Sequence, residues 1–212
     1  MANPDAPFGL RPIRHITGAP WNGATIRCVV NTLLADALYI GDAVDINSDL
    51  SDRATTERYL SVMIAGLADT NLILGVITSF DPLPANLTQQ YNPASPGADR
   101  YCQVCVDPTV VYEIRGDAAA AGTNVMVGQN ATGITTHEGS TITGLSGMEL
   151  AEGSGSANAS YPFLIVGISD RADNEFDGST DTRVIYEVLI STSRLGHSGG
   201  ADGLGILGVT AA

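Results

Sequence analysis

Apolar residues in this chain come in short runs separated by Gly, Pro, Ser, Thr, Asn and Asp, a spacing that favours strands over helices. The two strongest runs are Pro162-Phe-Leu-Ile-Val-Gly-Ile168 and Arg183-Val-Ile-Tyr-Glu-Val-Leu-Ile190. Both are dominated by β-branched and aromatic residues. In the second, alternation puts Val184, Tyr186 and Val188 on one face and Arg183, Ile185, Glu187 and Leu189 on the other, the pattern of a strand near a sheet margin. The connection 170–182 is acidic and too long for a tight turn, so it is expected to project and carry contacts.

Further strands are expected at 25–31, at 37–46 with a bend at Gly41-Asp42, and at 101–107 and 110–115, kinked apart at Asp107-Pro108. Residues 59–67 and 72–80 suggest a hairpin joined through 68–71. A helix over 54–67 is the weaker alternative, because Gly66 interrupts it. Residues 47–56 form a polar turn region, alanines 118–121 allow one helical turn, and 139–150 suggests an exposed strand or hairpin arm. The expected fold is all-β: a single barrel or sandwich core over 24–190, with a Pro-rich excursion at 81–99 and a flexible loop at 151–160. An extended arm (1–23) precedes it, and a Gly-rich C-terminal tail (191–212), expected to pair with a sheet edge, follows.

The first 23 residues are punctuated by Pro4, Pro7, Pro12 and Pro20 and cannot fold on themselves. They form either an arm across a neighbouring subunit or a strap over the chain's own barrel. Phe8, Leu10, Ile13 and Trp21 would anchor such a segment, Arg11, Arg14 and His15 make it locally basic, and its arginines would meet carboxylates. Tyr91, central in the excursion, and Arg171, Asp173 and Glu175, in the 170–182 loop, complete the set of candidate partner contacts.

Charge narrows the partners. A net charge of −13 over 212 residues disfavours a sequence-independent grip on nucleic acid. All ten basic residues are Arg. Arg suits forked hydrogen bonds at interfaces, although biased codon usage would give the same count. No apolar run resembles a signal peptide or is long enough to span a bilayer, so the expectation is a protein made and used without secretion and without a membrane partner.

Candidate chemistry is sparse. Cys102 and Cys105 form a C-x-x-C pair, but it lies in a strand pattern, where residues three apart point to opposite faces. A second ligand pair for zinc is missing, since only Cys28, His15, His137 and His197 remain, so the thiols are expected to be buried and reduced. Asp173, Glu175, Asp177 and Gly178 echo a calcium loop. The twelfth place is Val184, which excludes an EF-hand and leaves only a looser cation site. No hydrolase, metalloprotease or nucleotide-binding motif occurs, and no catalytic residue or cofactor is assigned.

Five pieces, Asn3-Pro-Asp-Ala-Pro-Phe-Gly-Leu-Arg-Pro-Ile-Arg-His15, Gly18-Ala-Pro-Trp-Asn-Gly23, Asp107-Pro-Thr-Val-Val-Tyr-Glu-Ile114, Thr143-Gly-Leu-Ser-Gly-Met-Glu-Leu150 and Asp170-Arg-Ala-Asp-Asn-Glu175, resemble a family of tailed-bacteriophage virion proteins. The resemblance implies a non-enzymatic capsid decoration, or cement, protein on the outer surface of the head, assembled in the host bacterial cytoplasm, with the major capsid protein as partner. A small symmetric homo-oligomer, a trimer favoured, fits that role. The alternatives are another virion component of the head–tail junction or tail, or a host-surface or glycan-binding module. The low aromatic content, 6% with one Trp, speaks against the last. A hydrolase or thiol redox enzyme is the remaining class.

Overall fold

Strands form where β-branched and aromatic residues alternate with polar ones, and Gly or Pro marks where they stop. The computed structural model describes residues 3–47, 58–122, 124–178 and 180–195. Its strands are β1 (Arg11–His15), β2 (Ile26–Val30), β3 (Ala43–Ile46), β4 (Leu60–Ile64), β5 (Gly75–Phe80), β6 (Arg100–Cys105), β7 (Val110–Arg115), β8 (Asn130–Ala131), β9 (Gly133–Ile134), β10 (Glu149–Leu150), β11 (Phe163–Ile168) and β12 (Ile185–Ile190). The fold is essentially all-β. A single 3-10 turn, Asn124–Met126, is the helical element among the described residues.

Strands β2-β4-β3-β5-β6 close into a barrel, and β1-β7-β12-β11-β8 form a five-stranded sheet beside it. Period-two alternation sorts the side chains. Cys28, Val30, Val44, Val62, Cys102 and Val104 fill the barrel interior. Cys105, one residue beyond Val104, enters a second core between barrel and sheet with Tyr112, Ile114, Phe163, Ile165, Tyr186 and Val188. Each large apolar side chain fully buried there stabilises by about 1.5–3 kcal/mol. The kink at Asp107-Pro108 is where the chain leaves the barrel as β6 and enters the sheet as β7.

Several expectations are corrected. Residues 59–67 and 72–80 do not form a hairpin: β3 inserts between β4 and β5, Val44 pairing with Ile64 on one side and Gly75 on the other. Pairing both edges of β3 is what closes the barrel and removes free strand edges. Strand β12 is central in its sheet, not marginal. Its outward Ile185 is fully buried, and the Asn174 side chain from the 170–182 loop bonds both the N–H and the C=O of Ile185. Residues 60–64 are strand, in line with the preferred reading over the weaker helical one, while no helical turn forms at 118–121, where Ala118 has φ +67°. The 139–150 piece is exposed only in its first half; Met148, Glu149 and Leu150 are buried.

Low hydrophobicity also concealed anchors. The stretch 151–160 contains Glu152, 4% exposed, which accepts the backbone N–H groups of Ala118, Arg183 and Val184 at 2.9–3.0 Å and the Tyr186 hydroxyl at 3.2 Å. Those bonds hold Ala118 and Arg183 in positive-φ backbone, at +67° and +54°. The Pro-rich excursion wraps around the buried Arg100, whose guanidinium donates to the carbonyls of Asp81, Gln89 and Tyr91. At the C-terminal end, Arg194 N–H donates to the Ile73 carbonyl at 2.8 Å; residues 196–212 lie outside the described residues, as do 48–56 of the polar turn region.

The N-terminal segment lies along the chain's own fold. Strand β1 pairs antiparallel with β7, and the turn after it folds back, His15 N–H donating to the Ala19 carbonyl at 2.8 Å. Leu10 is 1% exposed in the second core. Its N–H donates to the Gly41 carbonyl at 2.8 Å, at the bend that breaks 37–46 before β3. Gly9 and Gly41 permit that approach. Both have positive φ (+68° and +96°), and a Cβ would lie 2.5 Å from the Gly41 carbonyl oxygen in the first case and 2.5 Å from that of Phe8 in the second. Gly9→Ala and Gly41→Ala are each expected to destabilise by about 2–4 kcal/mol in chemical denaturation. Gly18→Ala, at φ +90° but with nothing within 4 Å, should cost only about 1 kcal/mol.

Candidate partner-binding cleft

All six residues of β7 are buried, two charged ones among them. Val110, Tyr112 and Ile114 face the second core, so alternation turns Val111, Glu113 and Arg115 to the outer face. The N-terminal segment and the loop after β11 supply that face's partners. Glu113, 5% exposed, accepts Arg11 Nη2 from β1, Arg171 Nη1 at 3.2 Å and the Ser169 hydroxyl at 2.6 Å. Asn3 ties the two covering segments together: its side-chain oxygen accepts the Glu175 N–H at 2.7 Å and its Nδ2 donates to the Glu175 carbonyl at 2.9 Å.

Between these segments and the 138–147 turn lies a cleft of about 580 Å³, with Phe8, Arg11, Arg115, Arg171, Asp173 and Ser146 in its lining. The Arg11 and Arg115 guanidinium carbons lie 5.0 and 5.9 Å from the centroid of the Phe8 ring. Arg171 forks onto Asp173, with two contacts of 2.7 Å, and holds that carboxyl below the usual carboxylate range. A second cleft of about 410 Å³ shares Phe8, Arg11 and Leu145 and adds Leu10, Trp21 and Gly41.

Of the residues expected from sequence to meet a partner, Phe8, Leu10, Arg11, Trp21, Arg171 and Asp173 line these two clefts. Others lie apart from the lining. Arg14 pairs with Glu187 at 2.5 Å, His15 Nδ1 lies 3.6 Å from the Asp107 carboxylate, and Tyr91 stacks on Tyr39 with ring centroids 5.3 Å apart. Glu175 touches the region through its backbone bonds with Asn3. Of the cation-site candidates, Asp173 is engaged by Arg171 and Asp177 accepts from Thr180, and among the described residues no three His, Cys, Asp or Glu gather to hold a metal. Sequence reading missed Arg115, Glu113 and Ser146. A charge pair two apart inside an apolar strand, Glu113 and Arg115, was the available signal.

No family model, curated protein or solved structure matches this chain.

The wall of the cleft is rooted at Asp42, 3% exposed, whose Oδ2 accepts the Tyr39 N–H at 2.7 Å and whose carboxyl also bonds Ser146. Burial pushes this carboxyl up to about 6 from an ordinary 3.8, those hydrogen bonds only partly opposing. Because the folded state holds the proton more tightly, stability falls as pH rises from 3.8 to about 6 and is level above. At about 1.4 kcal/mol per pH unit the loss is about 3 kcal/mol. Asp42→Asn keeps an acceptor for Tyr39 and should remove this dependence. Denaturation at acid and neutral pH is expected to find the variant near wild type below that window and more stable by up to about 3 kcal/mol above it.

The cysteines take no part in the cleft. Cys28, Cys102 and Cys105 are free and fully buried, and burial pushes Cys28 up to about 11 and raises the other two. A thiol-reactive disulfide reagent should modify none of them in the folded protein and all three in denaturant.

Proposed function

We propose that the protein is a non-enzymatic cement protein of a tailed-bacteriophage head, binding the outer capsid surface through the cleft-bearing face. One observation carries this reading. The separate segments that resemble phage virion proteins assemble in space around that face. Residues 3–15 pair with 107–114 through β1 and β7, Asn3 bonds Glu175, Arg171 bonds Glu113, and Gly9 abuts Ser146. Segments brought together from across the chain into one surface are what a recognition face requires. The closed barrel beside that sheet presents no free edge of its own for uncontrolled pairing.

Several copies would clamp adjacent capsid subunits, a small symmetric oligomer, with a trimer favoured, multiplying weak contacts on a symmetric shell. Purified protein added to capsids lacking it should co-sediment with them at saturable occupancy and raise their resistance to heat. Sedimentation of the free protein should show the oligomer. Failure to associate with any such capsid rejects the cement role.

A further inference from the structure

Arg115 is a buried cation that makes no close ion pair, although the charges of Asp173, Glu149 and Asp5 act on it from farther away. It is 3% exposed, its Nη1 donates to the carbonyls of Pro4 at 2.9 Å and Arg183 at 3.2 Å, and its Nε has no hydrogen-bond partner. Among the described residues no carboxylate forms an ion pair with it, whereas the neighbouring Arg11 and Arg171 are engaged by Glu113 and Asp173. An unpaired buried guanidinium is costly unless something completes it. The cleft that Arg115 lines is open to solvent-borne groups and large enough for a side chain.

Resting on the cement reading, we propose that this cleft is a carboxylate socket: an Asp or Glu side chain from the capsid subunit enters beside Phe8 and is bound by Arg115. The charges in the lining argue for a monoanion. Arg11 and Arg171 are taken up by Glu113 and Asp173, so Arg115 is the one guanidinium of the lining without an ion pair, a single charge that one carboxylate matches and a polyanion exceeds. The rim argues for a protein. Ile142, 93% exposed, sits in the turn whose Ser140 and Thr143 line the cleft, offering apolar contact beside the charged one.

The test uses the full-length protein labelled with nitrogen-15, reading the Arg115 Nε–H resonance during titration with a blocked tripeptide bearing a central glutamate. Its glutamine counterpart and inorganic phosphate serve as controls. A saturable shift with the glutamate peptide alone is expected. In Arg115→Gln, which lacks that resonance, the backbone amides of the cleft lining should no longer respond to the glutamate peptide. Thr143→Glu, a change at an exposed cleft position, should weaken peptide binding about tenfold while the backbone spectrum stays that of a folded protein. The absence of a saturable shift, an equal response to the glutamine peptide or to phosphate, or undiminished binding by Thr143→Glu overturns the socket. The two readings fail separately: peptide binding without capsid association rejects the cement role alone, and capsid association without peptide binding rejects the socket alone.

Discussion

The contact on which the arrangement depends is the backbone approach of Gly9 to Gly41. Two chains carrying side chains cannot come that close, and here the Leu10 N–H reaches the Gly41 carbonyl directly. That bond fixes a Pro-punctuated segment which has no internal means of folding. Leu10 is set into the core between barrel and sheet, while Phe8 and Arg11 are held at the cleft. Gly41 also turns the chain into β3, whose two-sided pairing closes the barrel. Barrel closure, strap and cleft therefore share one point of contact.

Electrostatics explains why the strap lies where it does. Glu113 on β7 and Glu187 on β12 are register partners, and like charges directly opposite destabilise a sheet. Strand β1 answers both, Arg11 bonding Glu113 and Arg14 bonding Glu187. The edge strand thus neutralises a repulsion built into the centre of the sheet. The exclusive use of Arg acquires an internal meaning from such pairs. Arg100 gathers three carbonyls and Arg194 forks onto Asp45, geometries for which a guanidinium is suited and an ammonium is not.

Local signals were legible. Alternation located β11 and β12 and sorted Tyr186 and Val188 to the core face, Gly41 marked a bend, Asp107-Pro108 marked the passage from barrel to sheet, and the strand period put Cys102 and Cys105 in different cores. What failed depends on segments distant in sequence. Ile185 and Glu187 look like the exposed face of a marginal strand, because nothing near them in sequence reveals that Asn174 and Arg14 will cover them. Glu152 sits in a stretch of Gly and Ser that reads as linker, yet it binds backbone donors from two loops that only the folded chain brings together. Arg115 was passed over for the same reason: its burial is made by the strap.

The cleft's walls are fixed before anything enters. One wall is pinned at Gly9, another at Asp42 and Ser146, and a third through Arg171 on Glu113. Little conformational entropy remains to be lost there on binding, which favours a rigid site with few contacts over a flexible one with many. The strongly acidic chain would repel an acidic partner at long range, but with a Debye length of about 8 Å at physiological salt that repulsion is screened beyond the surface layer. Buried Arg115 is screened far less. Recognition by the proposed socket would therefore be short-ranged: approach would gain nothing from steering, and selectivity would lie in how slowly a correctly seated carboxylate leaves.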